Sequence, residues 1–424
     1  MRAITISPSS CQGTLVAPAS KSAVQRAMAL ALLHNGKTII KSAGHSEDEM
    51  GARKIIKLLG AKIETAGDAE CVFSKGNIKP LDTSLDFSES GLSFRMFTPI
   101  VSLSPQKFIL TGSGTLLRRP MHFFLDVLPE MQVAVFSKDG FPPFEVQGPL
   151  IAHSITISGE QSSQYLTGML FALAKAANER VEIFVHNLKS KPYIDLSIQM
   201  LLHFGYSVSH SGYEKFIIEP GNLAPETIIY NAEGDWSGAS FFLVAGAIGG
   251  NVTISNLRRE SLQADQKIVQ VLESVGAQIS WNGAILKCAK ADLMPFEFDA
   301  TDCPDLFPPL AALAANCKGE SVLIGRSRLV SKESNREKSI IDILSKMGVP
   351  VKTEKDSMWI MGGGGIQAAK VSSHHDHRIA MMASILALNA NDAVEIEGAD
   401  SVRKSYPGFF SDLQNLAVKM NIHE

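Results

Sequence analysis

Along this chain, short polar clusters introduce long runs of small and apolar residues, and the alternation repeats. Ser20-Lys21-Ser22 precedes AVQRAMALALL, Ser90-Gly91-Leu92-Ser93 precedes FRMFTPIVSL, and Ser162-Ser163-Gln164 precedes YLTGMLFALA. Ser237-Gly238, Pro304-Asp305 and Asp376-His377-Arg378 introduce ASFFLVAGAI, LFPPLAALAA and IAMMASILAL, so the pattern recurs every 67–75 residues. The runs are apolar on most sides, which predicts helices buried within their domains.

A second helix recurs with the same period. It has amphipathic spacing and ends in glycine before a β-type run, as in KIIKLLG-AKIE, MLLHFG-YSVS, VLESVG-AQIS and ILSKMG-VPVK. Gly60, Gly205, Gly276 and Gly348 stand where the end of a helix must reverse the chain, with Glu130 and Ala417 at the corresponding points of two weaker copies. Val181–Val185, Thr227–Tyr230 and Val252–Ile254 read as strands. Each unit is therefore β-α-β-α-β-β, a period too long for the common helical solenoids. Six units split into three plus three, with small polar breaks at Cys11-Gln12-Gly13 and Asn231-Ala232-Glu233-Gly234. The expected fold class is α/β, two similar domains with a cleft between them; one continuous array is the alternative.

Composition narrows the function classes. The chain of 424 residues is 45% apolar and 20% charged, with 40 basic and 43 acidic side chains and a net charge of −3. No global field recruits nucleic acid or an anionic membrane. The N-terminus lacks the apolar stretch of a signal peptide, and the apolar run around Phe241–Ile248 falls far short of a bilayer span of about 20 residues. A cytoplasmic protein is expected. Five cysteines, with no C-x-x-C pair, fit reduced thiols rather than a disulfide or zinc framework; Cys303, near a polar cluster, has no context that marks it as a nucleophile.

The helix starts carry the candidate chemistry. Helix N-termini present unpaired N–H groups and a partial positive charge, which suits anions. Several also carry a cation: Lys21 with Arg26, Arg95, and Arg378. Ser22 and Arg26, four apart, share a helix face and together can hold a phosphate. Capping accounts for Ser90, Ser237 and Asp376, since serine and aspartate are preferred caps, but not for the repeated cations. Two converging anion sites are the sharper expectation. Gly362–Gly365 lacks a following G-K-[ST] and reads as a turn. His374-His375-Asp376-His377 holds metal-capable ligands, yet neighbouring histidines point apart and no H-E-x-x-H occurs, so a cap with an anion role is expected and metal is not. The run from Lys332 to Lys338 would, on pattern alone, be a solvated helix face.

Ten segments in order carry a resemblance over essentially the whole chain: PASKSAVQRA, ESGLSFR, LLRRPM, SSQYLTGML, SKPYIDLSIQM, AEGDWSGAS, PDLFPPLA, SKESNREKSI, HHDHRIAM and VRKSYPGFF. The chain resembles the 3-phosphoshikimate 1-carboxyvinyltransferases, the 5-enolpyruvylshikimate-3-phosphate synthases of the enolpyruvyl transferase family. That resemblance implies an inside-out α/β barrel in each domain, one spanning 14–231 and the other 232–424 completed by 1–13, closing over shikimate 3-phosphate and phosphoenolpyruvate. It also implies a monomeric enzyme of chorismate and aromatic amino-acid biosynthesis, a glyphosate target, that needs no cofactor or metal.

Carried over by position, the resemblance assigns Lys21, Ser22, Arg26, Ser162, Ser163, Gln164, Ser190, Tyr193, Asp305 and Lys332 to shikimate 3-phosphate. It assigns Lys21, Gly91, Arg119, Gln164, Arg336, Arg378 and Lys404 to phosphoenolpyruvate. Asp305 is the candidate base at the attacking hydroxyl, with Glu333 and Lys21 the acid–base candidates at C3.

The chain also departs from the family. Glu89-Ser90-Gly91-Leu92 stands where Asn-Ala-Gly-Thr is common, Arg328 where an asparagine precedes the K-E-x-x-R segment, and Val330 where an arginine stands two residues after that asparagine. A carboxylate at Glu89 beside an anion cradle calls for compensation by Arg95 or Arg118. The related UDP-N-acetylglucosamine 1-carboxyvinyltransferases commonly carry a cysteine before an arginine-proline pair. The loop Gly112–Pro120 has none, and Ser162-Ser163 with SKPYID favours a phosphorylated shikimate. A non-catalytic ligand-binding descendant is a further alternative, against which Lys21, Asp305, Glu333 and Lys404 stand together.

Overall fold

The computed structural model describes residues 3–330 and 332–423; Ser331 of the SKESNREKSI segment lies outside them. Among the described residues twelve α-helices come in pairs, one pair per repeat. They are Lys21–Leu33 (α1) and Glu47–Leu58 (α2), Gly91–Val101 (α3) and Phe123–Val127 (α4), Ser163–Ala176 (α5) and Lys191–His203 (α6). Trp236–Gly249 (α7) and Ile268–Ser274 (α8), Phe307–Asn316 (α9) and Arg336–Lys346 (α10), His377–Ala387 (α11) and Phe409–Asn415 (α12) follow.

Among the described residues six four-stranded sheets accompany the pairs. In the third repeat, Ile155–Ser158 runs parallel to Val181–His186, which pairs antiparallel with Lys215–Glu219 and through it with Ser207–Ser211. The strands read from sequence at residues 181, 227 and 252 are Val181–His186, Thr227–Asn231 and Asn251–Ser255. Three sheets borrow a strand from a distant part of the chain, Gln12–Val16 beside Asn251–Ser255 being one. Thr227–Asn231 closes the first repeat, in parallel register Thr227↔Lys37. Ala3–Ile6 inserts between Val394–Glu397 and Met420–His423, in register Ile4↔Ile396 and Ile4↔Ile422.

The chain divides into two compact units, Lys21–Ala232 and Met1–Ser20 with Glu233–Glu424. The breaks differ from the expected 13/14 and 231/232. Gln12–Val16 is a strand of the second unit, parallel to Asn251–Ser255 with Thr14↔Thr253, and a break at residue 14 would cut through it.

The first helix of each pair lies inside its unit. In α7 every residue from Trp236 to Ile248 is buried, and α7, α9 and α11 pack on one another, as do α3 and α5 with α1 beside α3. The second helices bury one stripe, as Ala52, Ile55 and Ile56 do in α2, where Ser46 and Glu49 form a capping box. The chain reverses after these helices in left-handed residues: Gly60 at φ 103°, Gly205 at 82°, Gly276 at 94°, Gly348 at 75° and Ala417 at 66°. In the remaining copy that residue is Gln132, at φ 61°, two positions beyond Glu130, because a short 3-10 turn at Pro129–Met131 extends the weak helix.

Candidate functional site

In Lys21–Ala232 the starts of α1, α3 and α5 are joined by side-chain hydrogen bonds. Ser90 caps α3, and the hydroxyls of Ser90 and Ser93 both donate to Gln25 Oε1 on α1, at 3.2 and 2.8 Å. Arg95 Nη1 donates to Gln164 Oε1 on α5 at 2.8 Å, while Ser162 caps that helix. Ser163 is buried beside them.

Arg26 is buried to 1% exposure. Its Nε donates to Ser197 Oγ and its Nη1 to the Ser22 carbonyl, both at 2.9 Å, and no carboxylate pairs with it among the described residues. Burial pulls its pKa down to about 10, with Tyr193 and Tyr230 opposing the shift. A buried guanidinium without a counter-charge is costly, and an anionic ligand would offset that cost. Ser190, left-handed at φ 56°, begins α6, and Tyr193 follows within its first turn. Lys21 Nζ is held at 2.8 Å by Asp48, in the first turn of α2.

Gly91, Arg95 and Arg119 form a second positive cradle. A Cβ at Gly91 would lie 2.8 Å from Nη1 of both arginines, so only glycine leaves the backbone open to them. Arg95 also lies over the Tyr165 ring, 5.3 Å from its centroid. Sequence reading marked Arg95 as a helix-start cation and a candidate counter-charge to Glu89, not as part of a substrate cradle. Glu89 turns to Thr115, which donates to Glu89 Oε2 from its N and Oγ1 at 3.2 and 3.1 Å.

The other unit gathers carboxylates and cations together. Arg336, 0% exposed, starts α10. Its Nε donates to Asp376 Oδ2 and its Nη1 to Asp305 Oδ1, both at 2.9 Å, and its Nη2 donates to Glu333. Arg378 Nη2 donates to Asp305 Oδ2 at 3.1 Å, and Lys332 Nζ lies 3.6 Å from Asp305 Oδ1. Asp305 stays 24% exposed at its side chain. Burial opposes its ionisation, but Arg378, Lys332 and Arg336 outweigh that and hold the carboxyl well below the usual range. Burial lowers the pKa of Lys332, Asp305 pulling it back up while Arg336 and Arg328 push it down. Lys404 Nζ donates to the His375 carbonyl at 2.7 Å, ahead of α11.

Two readings from sequence change here. Ser237 does not cap α7; Asp235 does, and the Ser237 hydroxyl instead accepts from Arg378. Asp376 caps α11 as expected, accepting the Arg378 N–H at 3.0 Å, and the Arg336 side chain is its counter-charge. The run from Lys332 is no solvated face, because Arg336 points inward to the three carboxylates. Cys303 is fully buried, and burial with Asp265 nearby raises its thiol pKa beyond use as a nucleophile. Among the described residues no cluster of three His, Cys, Asp or Glu side chains is placed to hold a metal ion.

Asp265, 0% exposed, carried no sequence signal. Burial, then Asp305, pushes its carboxyl up to about 7, against Arg378 and a hydrogen bond from Ser237. Such an acid favours the fold while protonated, and the contribution is lost as pH climbs from about 4, the unfolded value, through the folded one. Asp265→Asn is therefore expected to flatten the fall in thermal midpoint between pH 5 and pH 8. Equal slopes in variant and parent would contradict this.

The EPSP synthase (3-phosphoshikimate 1-carboxyvinyltransferase) family model matches residues 6–413. A 3-phosphoshikimate 1-carboxyvinyltransferase of Clostridium kluyveri is 33% identical over 421 residues, covering 99% of each chain. One of Methanocorpusculum labreanum is 34% identical over 427 residues, covering 98% of this chain and 99% of the other. In fold, the chain is similar to an EPSP synthase structure from Acinetobacter baumannii, with a TM-score of 0.84 at 23% identity and full coverage of both chains.

Proposed function

The chain belongs to the EPSP synthase (3-phosphoshikimate 1-carboxyvinyltransferase) family of transferases, and from that premise we propose how its residues divide the reaction. The enolpyruvyl group of phosphoenolpyruvate passes to the 5-hydroxyl of shikimate 3-phosphate. In the first step the 5-oxygen bonds to C2, its proton leaves, and C3 gains a proton. In the second, the bond from C2 to the phosphate oxygen breaks and C3 loses a proton, so phosphate departs and the C2–C3 double bond re-forms, now as an enol ether.

The observation that carries the assignment is the ionised Asp305 among three cations while still 24% exposed. It takes the hydroxyl proton, with Lys332 beside it, and Glu333 and Lys21 serve C3. Ser22, Arg26, Ser162, Ser163, Ser190 and Tyr193 bind shikimate 3-phosphate. Gly91, Arg119, Arg336, Arg378 and Lys404 bind phosphoenolpyruvate, and Gln164 serves both substrates. Two phosphates and two carboxylates repel each other, and the seven cations Lys21, Arg26, Arg119, Lys332, Arg336, Arg378 and Lys404 offset that repulsion. A charge-assisted hydrogen bond contributes roughly 1.5–3 kcal/mol, against about 0–1 kcal/mol for an exposed pair.

The same reading makes the protein a cytoplasmic monomer; no helix among the described residues is long and apolar enough to cross a membrane. Purified protein given phosphoenolpyruvate is expected to release phosphate with shikimate 3-phosphate and not with UDP-N-acetylglucosamine. Release with the second acceptor, or with neither, would overturn the reading.

A further inference from the structure

Glu89 stands where its charge should repel the substrate of the neighbouring cradle, yet it is built into the fold. Its carboxylate lies against the backbone of Gly114, where a Cβ would come within 2.6 Å of the carboxyl carbon and 2.8 Å of each oxygen. Gly114 is left-handed at φ 53°, and it starts the turn that brings Thr115 over Glu89. Thr115 has one hydroxyl proton, directed to Glu89 Oε2 at 3.1 Å, with the Thr115 N–H reinforcing the same oxygen at 3.2 Å. The hydroxyl lone pairs are then turned to Arg119, whose Nη2 donates to Thr115 Oγ1 at 2.9 Å.

A guanidinium is a rigid planar fork, so fixing Nη2 fixes Nη1. That nitrogen lies against Gly91, 2.8 Å from where a Cβ would stand. Serial donation from Arg119 to Thr115 to Glu89 also polarises each bond in the direction that strengthens the next. We propose that Glu89 is a positioning residue for phosphoenolpyruvate, acting through Thr115 to aim Arg119 at the Gly91 cradle. The inference rests on the assignment of Arg119 to that substrate.

The test is steady-state kinetics of Glu89→Ala, Glu89→Gln and Thr115→Val, each alone and combined with Arg119→Ala. Glu89→Ala and Thr115→Val should each raise KM for phosphoenolpyruvate about three- to tenfold, the scale of one net hydrogen bond. Meanwhile kcat and KM for shikimate 3-phosphate should stay within about twofold, the pattern of lost uniform binding. Glu89→Gln retains the acceptor oxygen and should restore KM. In the Arg119→Ala background neither Glu89→Ala nor Thr115→Val should add a further loss, because the group they aim is gone.

A rise with Arg119→Ala but unchanged or lower KM with Glu89→Ala would overturn the inference and leave the cradle intact. So would failure of Glu89→Gln to restore KM, since charge rather than hydrogen bonding would then be responsible. No effect of Arg119→Ala itself would instead remove the cradle assignment. If Glu89→Ala does not fold, Thr115→Val decides the same question.

Discussion

Replacing Asp305 by asparagine is expected to lower kcat by about 10²–10⁴, the usual contribution of a positioned proton acceptor, with less than about tenfold loss of shikimate 3-phosphate affinity. The carboxylate is held ionised by Arg378 at 3.1 Å, Arg336 at 2.9 Å and Lys332 at 3.6 Å. So strongly compensated a carboxylate is a weak base in the free protein, which at first argues against the role. Under the proposed assignment, bound phosphates and carboxylates would change that balance: they would draw the same cations to themselves and so raise the proton affinity of Asp305. The asparagine keeps the shape and one acceptor oxygen but cannot take the proton. Calorimetric titration with shikimate 3-phosphate beside single-turnover rates separates the two effects. A turnover rate within about twofold of the parent would remove Asp305 as the base.

Arg336→Met is expected to destabilise the protein by about 3–5 kcal/mol, the cost of breaking a buried ion pair from one side, and to abolish turnover. The side chain is 0% exposed and holds Asp376, Asp305 and Glu333. Methionine fills the space but removes the cation shared by Asp305, Glu333 and the fully buried Asp376, while Arg378 and Lys332 still face Asp305. Without the Arg336 charge, ionising this acidic cluster costs more in the folded protein than in the unfolded one. The sign of the pH dependence follows. The variant's fold is favoured where these acids are protonated, at low pH, and loses stability as pH rises through their folded values. Denaturant unfolding at pH 5.5 and pH 8 should show the larger deficit at pH 8. A deficit below about 1 kcal/mol at both would mean that the cluster adds no net stability.

Much of the fold was legible because its signals are local. The six polar starts lie at or within three residues of the first residue of α1, α3, α5, α7, α9 and α11. The glycines that end the second helices take the left-handed values that glycine alone tolerates without strain. Where a copy lacked glycine the reading slipped, as at Glu130, because Gln132 in a left-handed turn has no distinctive sequence mark. Capping at α7 was misread for a similar reason: Asp235 and Ser237 both qualify as caps, and only the backbone path decides between them.

The candidate site divides in the same way. Lys21, Arg26 and Ser162-Ser163-Gln164 stood out as clusters at helix starts. Asp48, Thr115 and Asp265 did not, since a lone aspartate or threonine carries no periodic signal, and each matters only through a partner distant in sequence.

The sequence by itself determined the repeat, the buried and amphipathic helices and most of the residues offered to anions, because periodicity and capping act over a few residues. Tertiary structure alone decided which strands close the incomplete sheets, since Ala3–Ile6, Gln12–Val16 and Thr227–Asn231 pair with strands distant in sequence. It also decided the electrostatic roles. Among the described residues Arg26 has no carboxylate beside it, whereas Arg336 is surrounded by three. That difference comes from burial and from neighbours brought together across the chain, which no local pattern encodes.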